Sequence, residues 1–311
     1  MKRPLWRAIQ VLAVIAVLVF VGLRIADQWT ELRSLPQQLH LNYTLLAASA
    51  GTVLLSYLVL IWTWQRMLRA WGEQLRFADA ARIWFVSNLG RYVPGKVWQI
   101  GAMGVMAQRV GVSPVAAVGS SLVISIVNIL AGAAVAVALG AQEIGAPWWA
   151  VWATSAAALG LVAAPWILPR AGAVASAILR KDIRVPPLPH SAVWIAAAGC
   201  ALAWLLYGLA FRWLHIALLG HATGNLVGST AAFTVSYLAG FLFLPAPGGL
   251  GVREEVLQRL LAQSGIAFGA EAWLVVIGSR LWLTVLEVLP GVLFLIIRSR
   301  TNAAPSSAPK A

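Results

Sequence analysis

Six apolar runs, at about residues 8–25, 42–64, 114–139, 148–168, 191–219 and 272–297, are long enough to cross a hydrocarbon core of ~30 Å at 1.5 Å per residue. Two further apolar regions, 78–110 and 226–264, are interrupted by proline and glycine. In the first, Ala80–Tyr92 and Lys96–Arg109 are short for a crossing and suit half-helices that enter and return. In the second, 252–264 is equally short, while 226–244 has the length to span. We read it as a second re-entrant pair, with two full crossings as the alternative. The pattern predicts an all-α integral membrane protein with six spanning helices and two broken re-entrant hairpins, which a hydropathy count takes as about eight membrane helices.

The order of these elements repeats. Span, span, broken hairpin and span occupy about 8–140, and the same order returns over 148–297. An odd number of spans in the first unit starts the second on the opposite face, which makes an inverted-topology repeat. Within it, "YVPGKVWQIGAMGVMAQRVGVS" (92–113) lines up with "PAPGGLGVREEVLQRLLAQSGIA" (245–267). Pro94-Gly95 then matches Pro247-Gly248, and Gly111 falls opposite Gly265 with one residue of slippage. The expectation is one membrane domain over 1–300, followed by a small polar tail, 301–311, that reads as disordered and cytoplasmic.

Composition agrees. Of 311 residues, 60% are hydrophobic and 11% charged, with a mean hydropathy of +0.81. Soluble domains carry about 25% charged residues. The 16 tryptophans suit bilayer interfaces. The net charge of +13 would suggest nucleic acid on a soluble protein. Here the cations alternate by side, so contact with anionic lipid headgroups explains them and nucleic acid is not expected.

Lys2, Arg3 and Arg7 precede the first span; Arg66, Arg69, Arg76 and Arg82 follow the second. Arg170, Arg180, Lys181 and Arg184 follow the fourth, and Arg298, Arg300 and Lys310 close the chain. The other side offers Arg24 and Arg33 beside Asp27 and Glu31, then Glu143, His221 and Glu271. The bias places both termini inside. The start resembles a signal peptide, yet its run Ala8–Leu23 is long for one and no small-residue cleavage pattern follows, so we read a retained helix.

Three constellations carry candidate chemistry. In "NLGRYVPGKVWQ" (88–99), Gly90, Pro94 and Gly95 break the helix, and Arg91, Tyr92 and Lys96 bracket the break. Helix ends exposed there attract anions, and Arg and Lys grip phosphate; the plain alternative is an interfacial loop whose cations reach headgroups. In "PAPGGLGVREE", Pro245 and Pro247 stop the chain's helix, and Gly248, Gly249 and Gly251 permit close backbone approach. Arg253, Glu254 and Glu255 then open the next helix, where carboxylates also complement the dipole. In the last span, Arg280 and Glu287 stand seven residues apart on one face, deep enough to require partners. We expect a network of Arg253, Glu254 or Glu255, Arg280 and Glu287, lining a site or serving as a buried structural ion pair. Asn88, Gln99, Ser125 and Asn128 are candidates for supporting hydrogen bonds near the first break. Arg212 and His215, toward one end of the fifth span, read as snorkelling to the interface.

The histidines show no i,i+4 pairing and the single Cys200 sits in an apolar run, so neither metal nor cofactor is expected. No Walker A, GxSxG, HExxH or CxxC pattern occurs. Taken together, "NLGRYVPGKVWQ" and "FLPAPGGLGVREE" resemble the two signature segments of the lysylphosphatidylglycerol synthase transmembrane-region family, the flippase-like domain, over about 5–300. The matching positions are Gly90, Arg91, Tyr92, Pro94, Gly95 and Lys96, then Pro247, Gly248, Gly249, Gly251, Arg253 and Glu254.

In bifunctional relatives this domain moves an aminoacylated phospholipid, and a soluble domain makes it; stand-alone relatives are linked to polyprenyl-lipid and hopanoid pathways. The resemblance implies a non-enzymatic lipid translocase of the bacterial inner membrane. It would bind an anionic phospholipid or a polyprenyl- or hopanoid-type lipid and work beside a separate lipid-modifying enzyme. An intramembrane transferase acting on a lipid phosphate, or a scaffold for such an enzyme, is the alternative.

Overall fold

In the computed structural model, the residues described are 41–92, 97–140, 189–221, 223–243 and 249–297, with scattered positions between 148 and 170. The predicted span at 8–25 and the tail at 301–311 lie outside them, as do Pro94, Gly95, Lys96, Pro245, Pro247 and Gly248. The described chain is helical: α1 (Tyr43–Ala70), α2 (Phe77–Asn88) with a 3₁₀ turn (Leu89–Tyr92), α3 (Val97–Arg109), α4 (Pro114–Gly140), α5 (His190–Leu219), α6 (Leu226–Leu242), α7 (Val252–Gln263) and α8 (Gly269–Ile296). Four of these, α1, α4, α5 and α8, are long and apolar enough to cross a membrane. They occupy four of the six predicted spans. Every described position between 148 and 170 is helical.

Local chemistry sets the ends. Asn42 and Asn225 cap α1 and α6, accepting the Leu45 and Gly228 N–H groups at 3.1 and 2.7 Å. An N-cap amide of this kind satisfies a donor that the first turn leaves open. The ends of α3 and α7 match. Gly111 and Gly265 take positive φ of 81° and 65°. Their N–H groups donate to Gln108 and Ala262, and the next N–H groups, of Val112 and Ile266, reach back to Ala107 and Leu261. This is the same Schellman closure twice, at the two positions that the sequence alignment paired.

α1 and α5 cross at the centre as antiparallel neighbours. The Asn42 N–H meets the Ala217 carbonyl at 3.1 Å, and the Ser49 hydroxyl donates to Ala210 O at 2.8 Å. The other helices pack in matched sets. α1–α2 has its counterpart in α5–α6, α2–α3 in α6–α7, and α3–α4 in α7–α8. Likewise α2–α8 answers α6–α4, α1–α8 answers α5–α4, and α1–α4 answers α5–α8. Exchanging 43–140 with 190–296 maps each of these contacts onto another.

Both hairpins return to the level at which they begin. Before α2, the Glu73 carboxylate accepts the Ser113 N–H that follows α3, at 3.2 Å. Before α6, the Thr223 hydroxyl donates to the Ile266 carbonyl that follows α7. α6 stops at 17 residues, about 26 Å, and α2, α3 and α7 are shorter still.

Close crossings are made by small residues, because apolar lipid supplies no hydrophobic drive between helices and dispersion contact must hold them. A Cβ on Gly140 of α4 would stand 2.0 Å from the Ala231 Cβ of α6, and one on Gly208 of α5 would stand 2.1 Å from the Thr230 hydroxyl. Ala231 is fixed to its backbone, so the helices themselves must part. We expect Gly140→Ala to cost about 1–3 kcal/mol, read as a Tm several degrees lower for the detergent-solubilised protein. An unchanged Tm would show that α4 and α6 do not cross at this point.

Candidate functional site

The site forms where α6 turns into α7. Gly240 and Gly249 pass backbone against backbone: a Cβ on Gly249 would lie 2.6–2.7 Å from Gly240 main-chain atoms, and Gly249 has φ of 71°. Any side chain at either position would push the two arms apart. Gly251, with φ of 84°, starts α7. The N–H of Gly251 donates to Glu254 Oε2 at 2.7 Å, so the carboxylate at the third helical position closes the exposed end. The other oxygen, Oε1, lies 3.5 Å from Arg280 Nε of α8. Glu254 is thus held from both sides while buried.

Arg253 is 6% exposed. Its guanidinium lies over the rings of Tyr237 and Phe233, 4.6 and 5.1 Å from their centroids. A cation on desolvated ring faces gains about 2 kcal/mol or more. The ring faces satisfy no N–H, and Nη2 is buried without a hydrogen-bond partner. Leaving a buried charged donor unsatisfied costs more than leaving a neutral one. The cage continues outward: Tyr237 meets Trp204 and Tyr207, and Tyr207 meets Tyr57, which meets Phe85 of α2. Four helices therefore contribute rings.

α8 links this break to the first. Glu287 lies two turns beyond Arg280 and is 4% exposed. One turn further, a Cβ on Gly291 would meet Leu89 Cδ2 at 2.9 Å and the Phe85 carbonyl at 3.0 Å. So the middle of α8 meets the second break and its C-terminal part meets the first. Pro290, inside α8, leaves the Leu286 carbonyl without its usual intrahelical donor at this contact. Across the first break, the Gln99 amide donates to Asn88 Oδ1 at 2.6 Å, tying the start of α3 to the end of α2. Gln99 is the third residue of its helix, as Glu254 is of α7.

Of the expected residues, Arg253, Glu254 and Arg280 come together as a cluster. Glu255 takes a different neighbour, Arg259, at 2.9 Å on the more exposed side of α7. The Ser125 hydroxyl donates to the Ser121 carbonyl of its own helix at 2.8 Å, and Asn128 offers its carbonyl to Trp204 Nε1 at 2.9 Å. Gly90 sits in the 3₁₀ turn; the side chains of Arg91 and Tyr92 lie outside the described residues. The snorkelling expected of His215 is corrected: it is 1% exposed, packed inside rather than reaching out. Sequence reasoning missed Phe233, Tyr237 and Gly240. The i,i+4 spacing of the two aromatics was the available signal, hidden in a run that is apolar all round.

Compared with known proteins, residues 7–291 match the family described as Lysylphosphatidylglycerol synthase TM region. No curated protein matches the chain.

Two substitutions test the cluster. Arg280→Gln strands the buried Glu254 carboxylate and should cost about 3–5 kcal/mol. The double variant Glu254→Gln/Arg280→Gln should lose less, because no buried charge is left alone. Unfolding in a denaturant series reads these together with Glu254→Gln alone; a double-variant loss, relative to the original chain, equal to the sum of the two single losses would show that the pair is not coupled.

Proposed function

The chain belongs to the lysylphosphatidylglycerol synthase TM-region family; from that premise we propose that this multi-pass membrane protein is a lipid translocase. It moves an anionic phospholipid or lipid-linked phosphate across the bilayer. The observation that carries this reading is the buried Arg253 Nη2, desolvated on an aromatic floor and lacking an acceptor. Arg280 is occupied by Glu254, so Arg253 is the cation in this cluster with a donor to spare.

A headgroup phosphate on Arg253 would accept from Nη2 while its acyl chains stay in lipid. At 6% exposure Arg253 is closed to lipid, so the α6–α7 hairpin must shift to admit a headgroup. The Gly240–Gly249 contact joins the two arms backbone to backbone, and Arg253 of α7 reaches across to the rings of α6, so a shift of the hairpin must release that ring contact. The matched contacts of the two halves, with the twin closures at Gly111 and Gly265, support an inverted repeat of two re-entrant hairpins. Exchange of conformations between such halves would open the site to alternate faces. The Lys/Arg asymmetry supports N-in and C-in placement in a bacterial inner membrane.

The transferase alternative needs a free carboxylate as base. Glu254 is held by the Gly251 N–H and by Arg280, which disfavours that role for it.

Reconstitution in proteoliposomes tests the proposal. Fluorescent phosphatidylglycerol should cross faster with the protein than without it, and chemical quenching of the outer leaflet reads the rate. Arg253→Gln should slow transfer at least tenfold at equal protein content, and Tyr237→Leu should slow it by less. Equal rates for the original chain, Arg253→Gln and empty vesicles would sink the proposal. A covalently altered lipid in the mass spectrum would favour the transferase.

A further inference from the structure

A second pair of basic side chains lies along α5, beyond the aromatic floor of Arg253. Phe233, which underlies the guanidinium at 5.1 Å, also packs at a tilt against Phe211 with centroids 5.1 Å apart. His215 follows Phe211 by four residues, one turn on along the same face of α5. Arg212 is three residues before His215, so the two side chains are neighbours.

Both carry buried, unsatisfied groups: Nη1 of Arg212 and Nδ1 of His215 find no hydrogen-bond partner. Arg212 is half-buried with its Nη1 atom enclosed, where an acid partner is ordinarily expected, and none pairs with it among the described residues. A headgroup-snorkelling residue would be exposed, and His215 is 1% exposed.

We infer that Arg212 and His215 form a second oxyanion station that takes the phosphate of a lipid headgroup after, or before, Arg253. The inference rests on the translocase reading and adds a defined step to it. The headgroup would pass between Arg253 and the α5 pair along the Phe233–Phe211 edge, toward the end of α5 at Gly220. Two stations let the phosphate keep one cation while gaining the next, which avoids a bare charge in the membrane interior. The class of ligand is a phosphate oxyanion, since fork-shaped Arg donors and an imidazole donor match its several acceptors.

Binding to the full chain in detergent tests this, read by tryptophan fluorescence with dihexanoyl-phosphatidylglycerol. Inorganic phosphate and dihexanoyl-phosphatidylcholine are titrated in parallel. The original chain should show two saturable events with phosphatidylglycerol. Arg212→Gln and His215→Gln should each weaken one event at least fivefold and spare the other, while Arg253→Gln should do the converse. Arg212→Lys should retain part of the affinity. Tm of each variant checks folding, and His215→Gln, nearly equal in bulk, carries the test if Arg212→Gln fails to fold. If Arg253→Gln removes its event and neither α5 variant changes anything, the second station is overturned and the translocase reading survives. If no variant alters binding, both are overturned. Equal affinity for inorganic phosphate at the α5 event would assign it to a free anion and overturn the headgroup role.

Discussion

The second break depends on the two-sided hold on the Glu254 carboxylate. A chain that leaves helical geometry inside an apolar medium frees N–H and C=O groups, and each must find a partner within the protein. At Gly251 that partner is Glu254 Oε2. A carboxylate placed there alone would be a buried anion, so its other oxygen needs a cation, and Arg280 supplies it from α8. One side chain thus closes the start of α7 and docks α7 to a long helix. The rest of the site follows. With Arg280 engaged, the neighbouring Arg253 is left to the rings of Phe233 and Tyr237. With α7 fixed against α8, its return to the level of Thr223 places Ile266 beside the start of α6.

The same problem is solved differently at the first break. There an uncharged pair, Asn88 and Gln99, joins the two arms. The residue at the third position of the second arm is an amide in one half and an acid in the other. An amide can donate and accept without demanding a counter-charge, so the first hairpin needs no arginine at the position that Arg280 serves for the second. The halves therefore share backbone plan and differ in charge. α8 joins both breaks, through Arg280 at its middle and Gly291 toward its C-terminal end.

Much of the fold was legible because length and hydropathy are strong signals in a bilayer-sized protein. The runs at 42–64, 114–139, 191–219 and 272–297 became α1, α4, α5 and α8 with ends shifted by a few residues. The cluster of Arg253, Glu254 and Arg280 was legible because charge in an apolar run needs a partner. The cage was not. In helices buried or lipid-covered on every side, apolar residues occupy all faces, so periodicity does not say which aromatic faces the site. Nor did the sequence separate Glu254 from Glu255. Which of two adjacent acids turns inward depends on the helix start at Gly251, and that start depends on glycine φ values that no side-chain pattern records. His215 was misread for a related reason: nearness to a span's end suggests an exit to water, but α5 is covered along that stretch by α1 and α6.

The choice of arginine at 253 is itself informative. A planar guanidinium can lay its face on Phe233 and Tyr237 and still present N–H groups at its edge. A lysine ammonium in the same cage would have to choose, since a compact charge turned toward the rings spends its donors there. The two functions of Arg253, anchorage and donation, are therefore separable in space. Anchorage fixes the guanidinium relative to α6, and α6 meets α7 through the bare backbone of Gly240 and Gly249. The guanidinium thus rests on a floor supplied by α6 while its backbone belongs to α7, so Arg253 itself bridges the seam that Gly240 and Gly249 draw close.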